Sequence, residues 1–138
     1  MGPDQSEVLL VDDERELVEL LALRLSRHGV GASVVYGGEE ALARLRQCPA
    51  RVVVLDVDMP GMDGLATLAL INRDHPGVEV ILLTGRPGLE PVLRRRGLSV
   101  LAYLLKPVNM EELLYNLGLA GSGQAALALA MPARAQGG

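Results

Sequence analysis

Four short segments carry side chains able to do chemistry together. LDVDMPGMDGL (Leu55 to Leu65) begins with an apolar run, Val52 to Leu55, that stops at Asp56 and passes into turn residues Pro60, Gly61 and Gly64. LLVDDE ends an apolar run in Asp12 and Asp13, ILLTG ends one in Thr84, and YLLKP supplies Lys106. Each polar group follows a run that reads as a buried strand, and open α/β sheets build their ligand sites at the carboxyl ends of strands. Three carboxylates in one crevice repel one another unless a divalent cation neutralises them. An all-oxygen set with room for water suits Mg²⁺, or Mn²⁺. Phosphoryl transfer needs charge compensation on three oxygens and an in-line nucleophile. Lys106 offers a second positive charge, the Thr84 hydroxyl a hydrogen bond, and Asp56 a carboxylate able to form an acyl phosphate. The expectation is an aspartate that accepts a phosphoryl group.

The elements that must position these groups alternate along the chain. Strands are expected at Val8–Val11, Val30–Val35, Arg51–Leu55, Val78–Leu83 and Val100–Leu104. Helices are expected at Glu14–His28, Gly38–Gln47, Leu65–Asp74 and Asn109–Leu117. The first should turn Leu17, Leu20, Leu21 and Leu25 inward and close at Gly29, and the second should turn in Ala41, Leu42 and Leu45. Asn109 suits an N-cap, with Glu112 in the capping-box position. GRPGLEPVLRRRG follows Thr84, and its Pro87 and Pro91 confine the fourth helix to a short or irregular piece starting near Glu90 or Pro91. Continuous apolar strands alternating with helices make a parallel sheet covered on both faces. The fold class is α/β: a flavodoxin-like, doubly wound, five-stranded sheet of order 2-1-3-4-5 with five helices. In that order the first and third strands are neighbours, which brings Asp12, Asp13 and Asp56 together.

The bulk composition narrows the function classes. A chain of 138 residues suits one domain, and 49% hydrophobic residues with no Phe or Trp and three Tyr give an aliphatic core. A net charge of −4 provides no footprint for nucleic acid or an anionic membrane. Cys48 is the single cysteine, so no disulfide framework or thiolate cluster is expected. No apolar run approaches the roughly 20 residues of a membrane span, and MGPDQSEV is not a signal peptide, although it fits the loose myristoylation pattern through Ser6. A cytoplasmic protein is expected, with residues 1–6 as a leader, 7–120 as the folded domain and 121–138 as a flexible Gly/Ala-rich tail. That tail reads as a linker stub as readily as a natural terminus.

These motifs resemble the receiver domain of two-component response regulators, in its single-domain, chemotaxis-regulator-like form. LLVDDE, LDVDMPGMDGL, LLTG and YLLKPVNMEEL carry the resemblance, over residues 7 to about 118. It implies Asp56 as phosphoacceptor, Asp13 as a Mg²⁺ ligand supported by Asp12, and the backbone carbonyl of Asp58 as a further ligand. It implies switch and phosphate-pairing roles for Thr84 and Lys106, and puts Tyr103 where the family carries a rotating aromatic. A sensor histidine kinase or phosphotransfer protein would donate the phosphoryl group. A downstream protein would read the face of the fourth helix, fifth strand and fifth helix. Beyond Mg-dependent self-phosphorylation and slow autodephosphorylation, no enzyme activity is implied. The segments contain no DNA-binding domain and no membrane element. Asp58 and Arg86, each two residues past a site residue, occupy positions that tune the phosphoryl lifetime, and could pair across the site mouth.

Other readings compete. VVVLDVDM imitates the Asp-x-Asp strand of haloacid-dehalogenase-like phosphatases, with Asp56 as nucleophile and Asp58 as general acid. In those enzymes that strand comes first and an acidic pair follows the lysine. Here Asp12-Asp13 come first, and only Glu111 and Glu112, within a helix, follow Lys106. A receiver-like fold that no longer needs phosphate is the third reading, and the intact site argues against it. Arg94, Arg95 and Arg96 read as a solvated patch, or as a dock for an acidic partner. His28 suits a helix C-terminus and His75 a turn, so neither looks like a phosphoryl relay. Gly29-Val30-Gly31 precedes a strand rather than following one, unlike a dinucleotide fingerprint.

Overall fold

The computed structural model describes residues 8–59 and 63–120. The elements run β1 (Val8–Val11), α1 (Arg15–Arg27), β2 (Ala32–Val35), α2 (Gly38–Gln47), β3 (Val52–Asp56), α3 (Gly64–Asp74), β4 (Glu79–Thr84), α4 (Glu90–Arg95), β5 (Ala102–Leu105) and α5 (Met110–Leu119). The expected leader, the Pro60-Gly61 turn and the tail from 121 lie outside the described residues.

The strands form one sheet of order β2-β1-β3-β4-β5, parallel at every pairing. This is the doubly wound order expected, and it follows from the strands themselves. β1 and β3 are apolar without alternation and buried along their length, the signature of strands covered on both faces. Alternate side chains feed two separate cores. Val8, Leu10, Val52, Val54 and Ile81 pack with Val18 and Leu25 of α1 and Leu113 and Leu117 of α5. Leu9, Val11, Val53, Leu55 and Leu82 pack with Ala41 and Leu45 of α2, Leu68 and Ile71 of α3 and Leu93 of α4.

Helix ends follow local chemistry. α1 closes on Gly29, whose φ of 80° is the left-handed conformation a side chain would disfavour. The Asp63 side chain caps α3, accepting from the Leu65 amide at 3.0 Å. Asn109 caps α5, accepting from the Glu112 amide at 2.9 Å. α4 is six residues long with Pro91 in its first turn, as its prolines dictate. His28 and His75 are the C-caps of α1 and α3.

The inward face of α1 differs from expectation. Leu17 and Leu20 point to solvent, 57% and 50% exposed, while Val18 and Leu25 are buried and Leu21 is half-buried. Leucines at 17, 20, 21, 23 and 25 spread over more than half of the helix circumference, so leucine spacing alone does not set its rotation. Val18, one step from Leu17, marks the buried side. The fifth strand also starts two residues later than expected, at Ala102, with Leu101 just before it donating its amide to the Val80 carbonyl of β4 at 2.7 Å.

Candidate functional site

Register assembles the site. Val11 pairs with Leu55, so the next residues along, Asp12 and Asp56, leave neighbouring strands at the same height. Asp56 pairs with Leu83, and Thr84 pairs with Leu105, which puts Thr84 and Lys106 on the same edge. The sequence separations are large, yet all four expected strand ends meet.

Asp12, Asp13 and Asp56 each bring a carboxylate oxygen within 4.8 Å of the others. Asp56 is 2% exposed, Asp12 half-buried and Asp13 exposed. Burial, with the neighbouring Asp56 carboxylate, pushes the Asp12 carboxyl up to about 6, against the lowering pull of the Glu14 amide. That amide donates to Asp12 Oδ1 at 2.9 Å. The Lys106 ammonium answers part of this charge: Nζ lies 2.9 Å from Asp56 Oδ1 and 3.5 Å from Asp58 Oδ2. Burial works against the charged lysine, but the hydrogen bond to Asp56 and the surrounding carboxylates outweigh it and hold its pKa above the ordinary value. One lysine against three clustered carboxylates leaves a surplus of negative charge facing the opening. The hard, all-oxygen donor set therefore fits a divalent cation such as Mg²⁺.

Asp58 is tied into the same edge. Its amide donates to Asp56 Oδ1 at 2.8 Å, and its own Oδ2 accepts from the Gly85 amide at 2.8 Å. Its Oδ1 lies 3.4 Å from both Arg86 Nη2 and Thr84 Oγ1, so the Asp58–Arg86 pair expected across the mouth is present. Burial raises the Asp58 carboxyl, yet the Gly85 amide, the Lys106 ammonium and the Arg86 guanidinium together leave it below the usual carboxylate range. Thr84 is fully buried, and its Oγ1 accepts from the Arg86 amide at 3.1 Å. Tyr103 is half-buried on β5 and packs against the core under α4, one strand over from Leu82. The Lys106–Pro107 peptide is cis.

Other contributors act through backbone, close approach or distant contacts. The Gly85 amide acts through backbone alone. Gly64 opens α3 where a Cβ would lie 2.5 Å from the Val57 Cα, so only glycine lets the helix start this close to the strand end that presents Asp56. Asn72 of α3 donates to the Ser99 carbonyl at 3.1 Å and accepts from its amide at 2.7 Å, pinning the segment between α4 and β5. Arg94, Arg95 and Arg96 are exposed, and Arg94 pairs with Glu90 at 3.4 Å.

Comparison with known proteins agrees with this fold. A family model described as the response regulator receiver domain matches residues 8–118. The chain is 37% identical over 112 residues to the probable transcriptional regulatory protein TcrX of Mycobacterium tuberculosis, covering 80% of this chain and 47% of that one. It is 33% identical over 113 residues to the transcriptional regulatory protein GlrR of Escherichia coli, covering 82% of this chain and 26% of that one. The chain thus spans less than half the length of these relatives. Among solved structures, response regulator TrrA from Thermotoga maritima, in complex with Mg²⁺-BeF, is 31% identical with a TM-score of 0.71, covering 80% of this chain and 95% of that one. The receiver domain of NtrX from Brucella abortus is 30% identical with a TM-score of 0.73, covering 84% and 98%. The haloacid-dehalogenase reading is not favoured by any of these. No helix among the described residues is long and apolar enough to cross a membrane.

Proposed function

This chain belongs to the response regulator receiver domain family of phospho-accepting switches, and we propose that Asp56 is its phosphoacceptor. The observation that carries this is the placement of Asp56: buried at the end of β3, 2.9 Å from Lys106, beside Asp12 and Asp13. A sensor histidine kinase or phosphotransfer protein is the donor. An Asp56 carboxylate oxygen attacks the phosphorus in line, an O–P bond forms, and the histidine N–P bond breaks with its electron pair returning to the imidazole. Lys106 follows the charge from the carboxylate to a phosphoryl oxygen, and the Thr84 hydroxyl donates to another. Asp12, Asp13, Asp56 and the backbone carbonyl of Asp58 would hold Mg²⁺, which supplies charge neutralisation on the transferred oxygens when bound.

The response is a population shift biased by that local charge. Thr84 moves toward the phosphoryl group, Tyr103 turns inward, and the face of α4, β5 and α5 that a downstream protein reads changes shape. Asp58 and Arg86 set how long the phosphoryl group lasts. Such donors act in the cytoplasm, which is the location proposed for this chain.

The test is intact-mass spectrometry after incubation with acetyl phosphate and Mg²⁺. A labile gain of about 80 Da, absent without Mg²⁺ and absent in Asp56→Ala, is expected. An unmodified chain that steadily releases phosphate would instead require a phosphatase.

A further inference from the structure

We propose that the solvent face of α1 is a self-association surface on which two copies of this chain pair antiparallel. The inference is independent of the phosphoryl chemistry. Leu17, Leu20 and Leu23 of α1, the last 49% exposed, are three of the four large hydrophobic residues exposed among the described residues. Single exposed leucines are ordinary; three on one short helix are a patch.

The arrangement of charge identifies the occupant. Val18 and Leu25 mark the buried side of α1. At 100° per residue, the line opposite them carries Glu16, Leu20, Leu23 and Arg27, spaced four, three and four residues apart. That is the spacing of a seam along which two helices pack. The strip is complementary to its own reverse. About a twofold axis, Glu16 meets the second copy's Arg27, and Leu20 meets the second copy's Leu23. Each contact then occurs twice, as an isologous interface requires. Parallel pairing would set Glu16 on Glu16 and Arg27 on Arg27, so the charges select the antiparallel arrangement. Glu16 and Arg27 make no ion pair among the described residues. Leu17 flanks the seam, within reach of the aliphatic stem of the second copy's Arg24.

The patch is small. Twelve residues from Glu16 to Arg27 span about 18 Å of helix. One such face per copy buries less than the roughly 1,200 Å² of stable complexes, so the pairing is transient, with a Kd on the order of 100 μM.

Sedimentation velocity and amide NMR on the full chain, diluted from about 1 mM to about 20 μM, test the proposal. Concentration-dependent shifts centred on α1 are expected. Leu20→Glu should weaken association at least about tenfold. Glu16→Arg alone and Arg27→Glu alone should each weaken it, and the double exchange should restore it. All these positions are exposed, and circular dichroism melts verify that each variant folds. A chain that stays monomeric at about 1 mM overturns the proposal and leaves this face to a different protein or to the segment after Ala120. Association indifferent to Leu20→Glu overturns it too, and failure of the double exchange to restore pairing overturns the antiparallel register.

Discussion

Lys106 Nζ stands 2.9 Å from the buried carboxylate of Asp56 and 3.5 Å from that of Asp58, so one ammonium serves two acids, one at the end of β3 and one two residues beyond it. The lysine side chain is 28% exposed and Asp56 almost fully enclosed, which makes the pair asymmetric. Water can still reach the cation but hardly reaches the anion it protects.

Removing that cation should therefore cost both stability and chemistry. Lys106→Met leaves Asp56 enclosed without its counter-charge, and about 1–3 kcal/mol of stability should be lost in urea unfolding. Phosphoryl acceptance from acetyl phosphate should slow about 10²- to 10³-fold in a mass-spectrometric time course, the range for losing one charge stabiliser. A rate within about threefold of the native chain would show that Lys106 does not compensate charge in the transfer.

Asp12 makes the metal-free protein sensitive to pH. Its carboxyl sits at about 6 in the fold against 3.8 for an ordinary aspartate, so the folded chain holds this proton more tightly than the unfolded one. Its contribution is full below pH 3.8 and is lost as pH rises through about 6. Thermal melts without metal should show that loss, and Mg²⁺ should reverse it at the upper end. Asp12→Asn should flatten the slope in this window. Above it, the variant should gain about 1 kcal/mol without metal, a figure discounted for solvent screening at a half-buried group. An unchanged slope in Asp12→Asn would assign the titration elsewhere.

Gly64→Ala tests the close approach of α3 to the end of β3. The added Cβ would stand 2.5 Å from the Val57 Cα, a backbone atom with nowhere to go. A loss of about 2–4 kcal/mol is expected in chemical denaturation, although alanine is the better helix former. A neutral result would mean that the α3 N-terminus lies farther from Val57.

Asp58→Ala should free the Gly85 amide, now held at 2.8 Å. Faster hydrogen exchange at Gly85 and a stability loss of about 1–2 kcal/mol are expected. Protection of Gly85 equal to that of the native chain would show that the contact does not hold the turn after β4.

What was legible in the sequence follows from where information sits in a doubly wound sheet. Asp12, Asp56, Thr84 and Lys106 each terminate or follow an apolar run, so strand order alone brings them together. α4 was legible as short because Pro91 can occupy only a first turn. The rotation of α1 was not, because leucines spread over more than half of a helix blur its phase, and Leu17 and Leu20 turned out to face water. Nor were the Gly85 amide and the Asn72–Ser99 pair, since backbone donors and long-range contacts leave no residue-type pattern.

The Asp58 carboxylate, finally, makes the resting site a place already taken. It holds the Gly85 amide and reaches Lys106, Arg86 and Thr84, donors of the kind a phosphoryl group on Asp56 would claim. Modification under the proposed reading is then a substitution of one resident anion by another rather than the filling of idle donors. Its driving force is a difference between two similar attachments, which keeps the two forms close in free energy and the switch reversible. By this logic residue 58 sets the resting bias: a side chain that grips these donors less firmly hands them over sooner.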